Sequence, residues 1–247
     1  MDQTAAAAAR ARRLHMIAAI LDLLDGPGHI AVGSSSPIPA TAALLARHRD
    51  PERVRVSLLG SETNNVFTDG NRELFDCAAQ GRVGTFFFSG GQIDGAGRIN
   101  LVGIGAYPRM KVRFPGSFGS AFLYPLVPRV ILFREDHTPR TLVDKLDFIS
   151  AAPGEGRPGD RNDGPRALVT GRCVFAFNPA RRRFRLVRLF PGETLESIAA
   201  NTGFACGAGE GDLERPLRAA LEREIADVVA TEVVRDYPGF SRAFAGA

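Results

Sequence analysis

At 247 residues, with 45% apolar and 23% charged side chains and a formal net charge of +4, the chain is long enough to bury a substantial core and is neither disordered nor fibrous in composition. Its 31 Lys and Arg are interspersed with 27 Asp and Glu except around Arg181 to Arg188, so no basic face of the kind that binds nucleic acid stands out. No apolar run approaches the ~18 residues that cross a bilayer, and the alanine run Ala5 to Ala9 leads into arginines instead of a signal segment; the expected compartment is the cytoplasm, with no membrane partner.

Residues 1–12 precede any cap or apolar period and are expected to be a flexible N-terminus, followed by a single domain over residues 13–247. Leu14, Ile17, Ala18, Leu21 and Leu24 recur at helical spacing until Gly26-Pro27-Gly28 stops them. A short strand, His29 to Val32, runs into Gly33, three serines and Pro37. Strand-to-helix turns of this kind hold ligands at the carboxyl edge of an α/β sheet, because backbone N–H groups point outward there. Ala40 to Arg47 then reads as a helix.

Val54 to Leu59 is the second strand and delivers Gly60, Ser61 and Glu62 into a polar, turn-rich loop, after which Arg72 to Gln80 resumes helical character. Val83 to Phe88 is the third strand; its Phe86-Phe87-Phe88 run is too short for a helix and ends at Gly90 and Gly91, where a ligand could approach bare main chain. Asp94-Gly95 and Gly97 turn the chain again, and Ile99 to Ile104 supplies a further apolar strand. Alternating strands and helices predict a parallel sheet built of β-α-β units.

Gly105 to Leu123 is rich in Gly, Pro and aromatic residues and reads as structured loop. Val127 to Phe133 is a strand, Arg134 to Arg140 a charged turn containing His137, and Ala151 to Pro165 a long surface excursion. Arg166 to Thr170, Cys173 to Asn178 and Arg183 to Leu189 read as antiparallel strands, Thr194 to Ala200 as a short helix and Leu213 to Val234 as a closing helical stretch. No period of about 20 to 50 residues repeats, which excludes a solenoid. The three cysteines (Cys77, Cys173, Cys206) and four histidines make no metal-ligand spacing, so no metal is expected. The expected fold class is α/β, an open, mostly parallel sheet with flanking helices and some antiparallel strands in the C-terminal third.

Three separated strings carry a resemblance. SGGQIDGAGRIN holds Gly90, Gly91, Gln92, Ile93, Asp94, Gly97 and Asn100; GAYPRMKVRFPGSFGSA holds Gly116, Ser117 and Gly119; HTPRTLVDKLDFIS holds His137, Lys145 and Asp147. In order and spacing they resemble the GGAQID-x-x-G-x-x-N element, the G-S-x-G turn and the H-x7-K-x-D segment of the B (β) subunits of class I CoA-transferases, such as that of glutaconate CoA-transferase. The likeness extends from about Ile30 to Phe204.

That resemblance implies a heteromeric enzyme whose β subunit works on acyl-CoA thioesters with a separately encoded α subunit of related fold. Coenzyme A or acyl-CoA would be a substrate, with no cofactor bound permanently. A β-subunit glutamate would attack the thioester, form a mixed anhydride and then hold CoA as a glutamyl thioester, which splits one difficult exchange into easier steps. Gln92 and the backbone of Gly116 to Gly119 would stabilise the oxyanion; Gly90, Gly91, Gly116, Ser117, Gly119 and Arg113 would contact the CoA ester, with Arg109 and Lys111 as further phosphate contacts. The nucleophile departs from the pattern: Leu58 or Leu59 falls where the family glutamate stands, and Glu62 follows a few residues later. Glu62 is the candidate nucleophile or general base, with a helix-capping or partner-facing carboxylate as the other reading. Two alternatives stay open. One is an acyl-CoA hydrolase of the same fold, such as a ring-opening hydrolase of steroid degradation with the catalytic glutamate on the other subunit; the second is a non-catalytic acyl-CoA-binding partner.

Overall fold

The computed structural model describes residues 3–208 and 216–246. In chain order its elements are α1 (Gln3–Leu23), β1 (Gly28–Val32), α2 (Pro37–Arg49), β2 (Val54–Leu58), α3 (Gly70–Ala79), β3 (Thr85–Phe88), β4 (Gln92–Asp94), β5 (Ile99–Asn100), β6 (Gly103–Ile104), β7 (Val112–Arg113) and α4 (Ser120–Leu126). There follow β8 (Arg129–Arg134), β9 (Leu142–Val143), β10 (Ala167–Thr170), β11 (Cys173–Asn178), β12 (Arg183–Leu189), α5 (Leu195–Asn201), β13 (Gly207–Ala208), α6 (Ala219–Val228), a π-helical turn (Val229–Val233), α7 (Val234–Asp236) and α8 (Pro238–Ala245). The chain groups into two compact units, Met1–Thr68 with Arg215–Ala247, and Asp69–Glu214.

In the first unit β1 and β2 pair in parallel, Gly28 opposite Val54 through Val32 opposite Leu58. Ile30 to Val32 and Val56 to Leu58 are buried without alternation, as parallel strands covered on both faces should be. Within residues 1–12, expected to be a flexible N-terminus, α1 already begins at Gln3. Alanine is the best helix former, and Arg10 anchors this first half: its Nη1 lies 2.8 Å from Glu222 Oε1 and its guanidinium stacks 5.3 Å from the Phe244 ring centre. Basic residues in the last turn of α2 complement the helix dipole, and the same residues reach the C-terminal helices, Arg47 Nη2 at 2.8 Å and His48 onto Glu232, Arg49 at 2.7 Å onto Glu224. The expected closing helix is present from Ala219, interrupted by the π-helical turn that carries Glu232; residues 213–215 of that expectation lie outside the described residues.

In the second unit β3, β8 and β10 are parallel neighbours, β11 adds antiparallel to β10 and β12 antiparallel to β11, and β13 returns parallel to β12. The antiparallel part is the C-terminal third, where short turns replace helical crossovers. Every residue of β3 and β10 is buried. A three-stranded sheet, β5-β4-β9, and a β6-β7 hairpin complete the unit. The single strand expected over Ile99 to Ile104 is broken in two, because Asn100 Oδ1 accepts from the N–H groups of Val102 (3.0 Å) and Gly103 (3.2 Å) and turns the chain between β5 and β6. No helix among the described residues is long and apolar enough to cross a membrane.

Candidate active site

The glycine element leaves β3 and enters the small sheet. Gly90 is buried, and a Cβ on it would stand 2.7 Å from Gln92 O; one on Gly91 would stand 2.2 Å from Phe114 Cε2. These glycines therefore serve close packing. The Gly91 N–H donates to Asn100 O at 2.9 Å, so that amide is engaged with β5 and is not bare as the sequence suggested. Replacing Gly91 with Ala is expected to force Phe114 aside and to lower unfolding free energy by about 1 to 3 kcal/mol, the usual range for overpacking; urea titration of the purified chain measures it.

Gln92, buried at 6% exposure, joins two of the separated strings. Its Nε2 donates to Asp147 Oδ2 at 2.7 Å, and its Oε1 accepts from Asn100 Nδ2 at 2.8 Å and from the Asp147 N–H at 3.1 Å. Asn100 Nδ2 also donates to Gly103 O at 2.7 Å. Both acceptor positions of the Gln92 amide are filled and one of its N–H bonds is engaged, which fixes the amide against flipping and leaves one N–H unassigned. On sequence grounds Asn100 and Asp147 carried no role of their own; their presence in separate strings of the same resemblance was the available signal.

The Gly116 to Gly119 turn is built differently. Gly116 takes φ +116°, a region that favours glycine, and nothing lies within 4 Å of where its Cβ would be. Ser117 is half-buried, its carbonyl accepting the Ser120 N–H at 2.9 Å. A Cβ on Gly119 would stand 2.3 Å from the Phe75 ring, so the last glycine lets that ring of α3 pack close against the turn. Arg113, exposed on β7, has its Nη1 3.7 Å from Met110 Sδ; Arg109 and Lys111 are exposed beside it.

Glu62 belongs to the first unit, the other candidates to the second. The loop after β2 is compact: Ser61 Oγ accepts from the N–H groups of Thr63 (3.3 Å) and Asn64 (2.9 Å), Asn64 O accepts the Leu58 N–H at 2.8 Å, and Arg47 Nη1 donates to Asn64 Oδ1 at 2.9 Å. Glu62 is exposed at the tip of this turn, and its carboxylate has no ion-pair partner among the described residues. Leu58, by contrast, is fully buried, with no carboxylate at the end of β2.

His137 sits apart from these groups in its contacts. Its Nδ1 lies 2.9 Å from Thr170 Oγ1 and its Nε2 3.0 Å from Thr202 Oγ1. The Thr202 hydroxyl donates to Ile198 O at 2.8 Å, so a neutral ring carries its proton on Nε2, and Nδ1 is left to accept from the Thr170 hydroxyl, which also reaches Cys173 O at 3.1 Å. Burial, helped by nearby Arg172, lowers its pKa from 6.5 to about 4. A folded-state value below the unfolded one means that folding disfavours the protonated ring. Stability is therefore full above about pH 6.5 and falls as pH drops toward 4, by on the order of 3 kcal/mol for this one residue. Urea midpoints at pH 7 and 4.5 should show the loss, and His137→Gln should flatten the slope. Among the described residues no group of three or more His, Cys, Asp or Glu could hold a metal ion.

A family model described as coenzyme A transferase matches residues 14–201. The B-type subunit of 3-oxoadipate CoA-transferase from Pseudomonas knackmussii is 31% identical over 211 residues, which cover 82% of this chain and 77% of that protein. The cholesterol ring-cleaving hydrolase IpdB subunit of Rhodococcus jostii is 25% identical over 248 residues, 88% of this chain and 92% of the other. The crystal structure of glutaconate coenzyme A-transferase from Acidaminococcus fermentans has the same fold, with a TM-score of 0.72 at 21% identity over 90% of this chain and 94% of the other. The expected α/β class and the resemblance read from the three strings agree with these matches, and since the family model runs through most of the sequence, the chain belongs to the coenzyme A transferase family.

Proposed function

We propose that this chain is the B-type subunit of a heteromeric cytoplasmic enzyme that transfers CoA between carboxylic acids. Residues 13–247 act in this reading as a single β-subunit-like domain completed by an α subunit of related fold, as the names of its relatives suggest. The observation that carries the proposal is the interlock of family strings at Gln92, Asn100 and Asp147, inside a family match over residues 14–201.

In the reaction the Glu62 carboxylate oxygen attacks the thioester carbonyl, and the C–S bond breaks to release CoA thiolate and leave a mixed acyl-glutamyl anhydride. The thiolate then attacks the glutamyl carbonyl, the acyl carboxylate departs, and CoA is held as a glutamyl thioester. An incoming carboxylate reverses both steps. Removing one oxyanion donor in such sites typically costs about 10²- to 10³-fold in rate. Gln92 has one amide N–H unassigned for this role, and the open main chain at Gly116, with Ser117, would lie against the CoA ester. Gly90, Gly91 and Gly119 shape the walls through packing, while Arg113 faces the phosphates.

A second reading has its own support. Leu58 and Leu59 occupy the end of β2, and a relative is named a ring-cleaving hydrolase. In that reading the catalytic glutamate is on the α subunit, and this chain supplies cleft surface. Co-expression with the neighbouring reading frame, incubation with acyl-CoA and trapping with hydroxylamine or borohydride separates the two: modified Glu62 supports transfer, whereas free CoA without acceptor and an unmodified chain supports hydrolysis. A complex that binds no acyl-CoA sinks both.

A further inference from the structure

The second unit carries an aromatic cluster that its own packing does not use up. The Phe75 ring on α3 lies 5.5 Å from Phe118 and 5.7 Å from Phe122, yet Phe118 is 58% exposed and Phe122 47% exposed. Phe118 also takes φ +47°, a left-handed conformation that glycine adopts without strain and a phenylalanine does not. Backbone strain that a simple substitution would relieve, combined with a large apolar side chain held in water, is the pattern of a functional position. Beside it the main chain at Gly116 is open.

What could cover the rings is constrained by charge and by size. From Phe114 to Pro128 the sequence FPGSFGSAFLYPLVP contains no ionisable acid or base other than Tyr124, which is fully buried and donates its hydroxyl to Gly97 O at 2.7 Å. On this turn and helix the face therefore suits an uncharged body; the charged residues that flank Phe75, Arg72 and Asp76, are exposed on α3. A subunit interface needs roughly 800 Å² from each partner, more than two partly exposed rings on one turn and one seven-residue helix offer by themselves. They suit the footprint of a small apolar group.

We propose that Phe75, Phe118 and Phe122 form an aromatic face that receives the acyl body of the thioester substrate, so that this chain selects acyl groups with an apolar, ring-sized or branched body over short or doubly charged ones. This rests on the acyl-CoA reading above. Phe118 and Phe122 are specificity-determining residues in it, and neither takes part in bond making.

The test uses the co-purified two-subunit complex and two unreactive thioethers, S-benzyl-CoA and S-ethyl-CoA, titrated by calorimetry. The wild-type complex should bind the benzyl compound about tenfold more tightly or better, as expected for burying one ring against others. Phe118→Gly and Phe122→Ala should each bring the two affinities close together, and Phe122→Ala, outside the Gly116 to Gly119 turn, should leave S-ethyl-CoA binding unchanged. Phe118→Gly should also melt no lower than wild type, since glycine suits that backbone. Equal affinities in the wild type, or a benzyl preference that survives both variants, would overturn the proposal while leaving the acyl-CoA reading intact. Protection of both rings from hydroxyl-radical labelling on subunit association alone would overturn it in favour of a subunit contact. Failure of the wild-type complex to bind either thioether would remove the acyl-CoA reading itself.

Discussion

Glu62→Gln is expected to abolish the trapped glutamyl species and to reduce turnover by about 10³-fold or more, because a neutral amide cannot attack the thioester carbonyl or carry CoA as an acyl derivative. The side chain is exposed at the tip of a turn held by Ser61, Asn64 and Arg47, so the substitution should leave thermal stability near that of the wild type. This makes the kinetic result easy to read. Glu62→Asp draws the carboxylate back by one methylene and should retain part of the labelling at a lower rate. Full activity in Glu62→Gln would place the nucleophile on the other subunit and leave the hydrolase reading standing.

Asn100→Leu should give the largest loss of stability of any single substitution considered. Asn100 is fully buried, and its amide bridges Gln92 Oε1 and Gly103 O while accepting the N–H groups of Val102 and Gly103. Leucine removes all four bonds and leaves buried backbone groups unsatisfied, for a loss of about 3 to 5 kcal/mol. Guanidinium or urea unfolding provides the ranking. Hydrogen exchange at residues 92–94 and 101–103 shows whether the loss is local to the β4-β5-β6 segment; a change confined to α1 or α2 would contradict the role given to Asn100.

Strand and helix positions were legible wherever burial or turn chemistry acts locally: the all-buried Thr85–Phe88 and Ala167–Thr170 strands, the antiparallel run from β10 to β12, and the short helix starting at Thr194, which the structure shows is capped there by the Thr194 side chain accepting the Ser197 N–H. The family too was legible, because short strings with fixed spacing survive in the sequence. The helical start at Gln3 was missed because its anchors, Glu222 and Phe244, lie more than two hundred residues away.

The candidate site was legible in part. Composition and motif order alone determined an α/β chain of the coenzyme A transferase family and brought Gln92, Glu62 and the glycine turns into view. Only the tertiary structure decided what each does locally: that Gly91 makes room for Phe114 with its amide already engaged, that Asn100 and Asp147 hold the Gln92 amide, that His137 is a neutral core residue, and that Phe118 stands exposed in a strained conformation. The physical reason is that backbone preference and apolar patterning act between near neighbours in sequence. The partners of a buried amide or ring are chosen by which distant segments the sheet brings together, here Gln92 and Asp147, 55 residues apart.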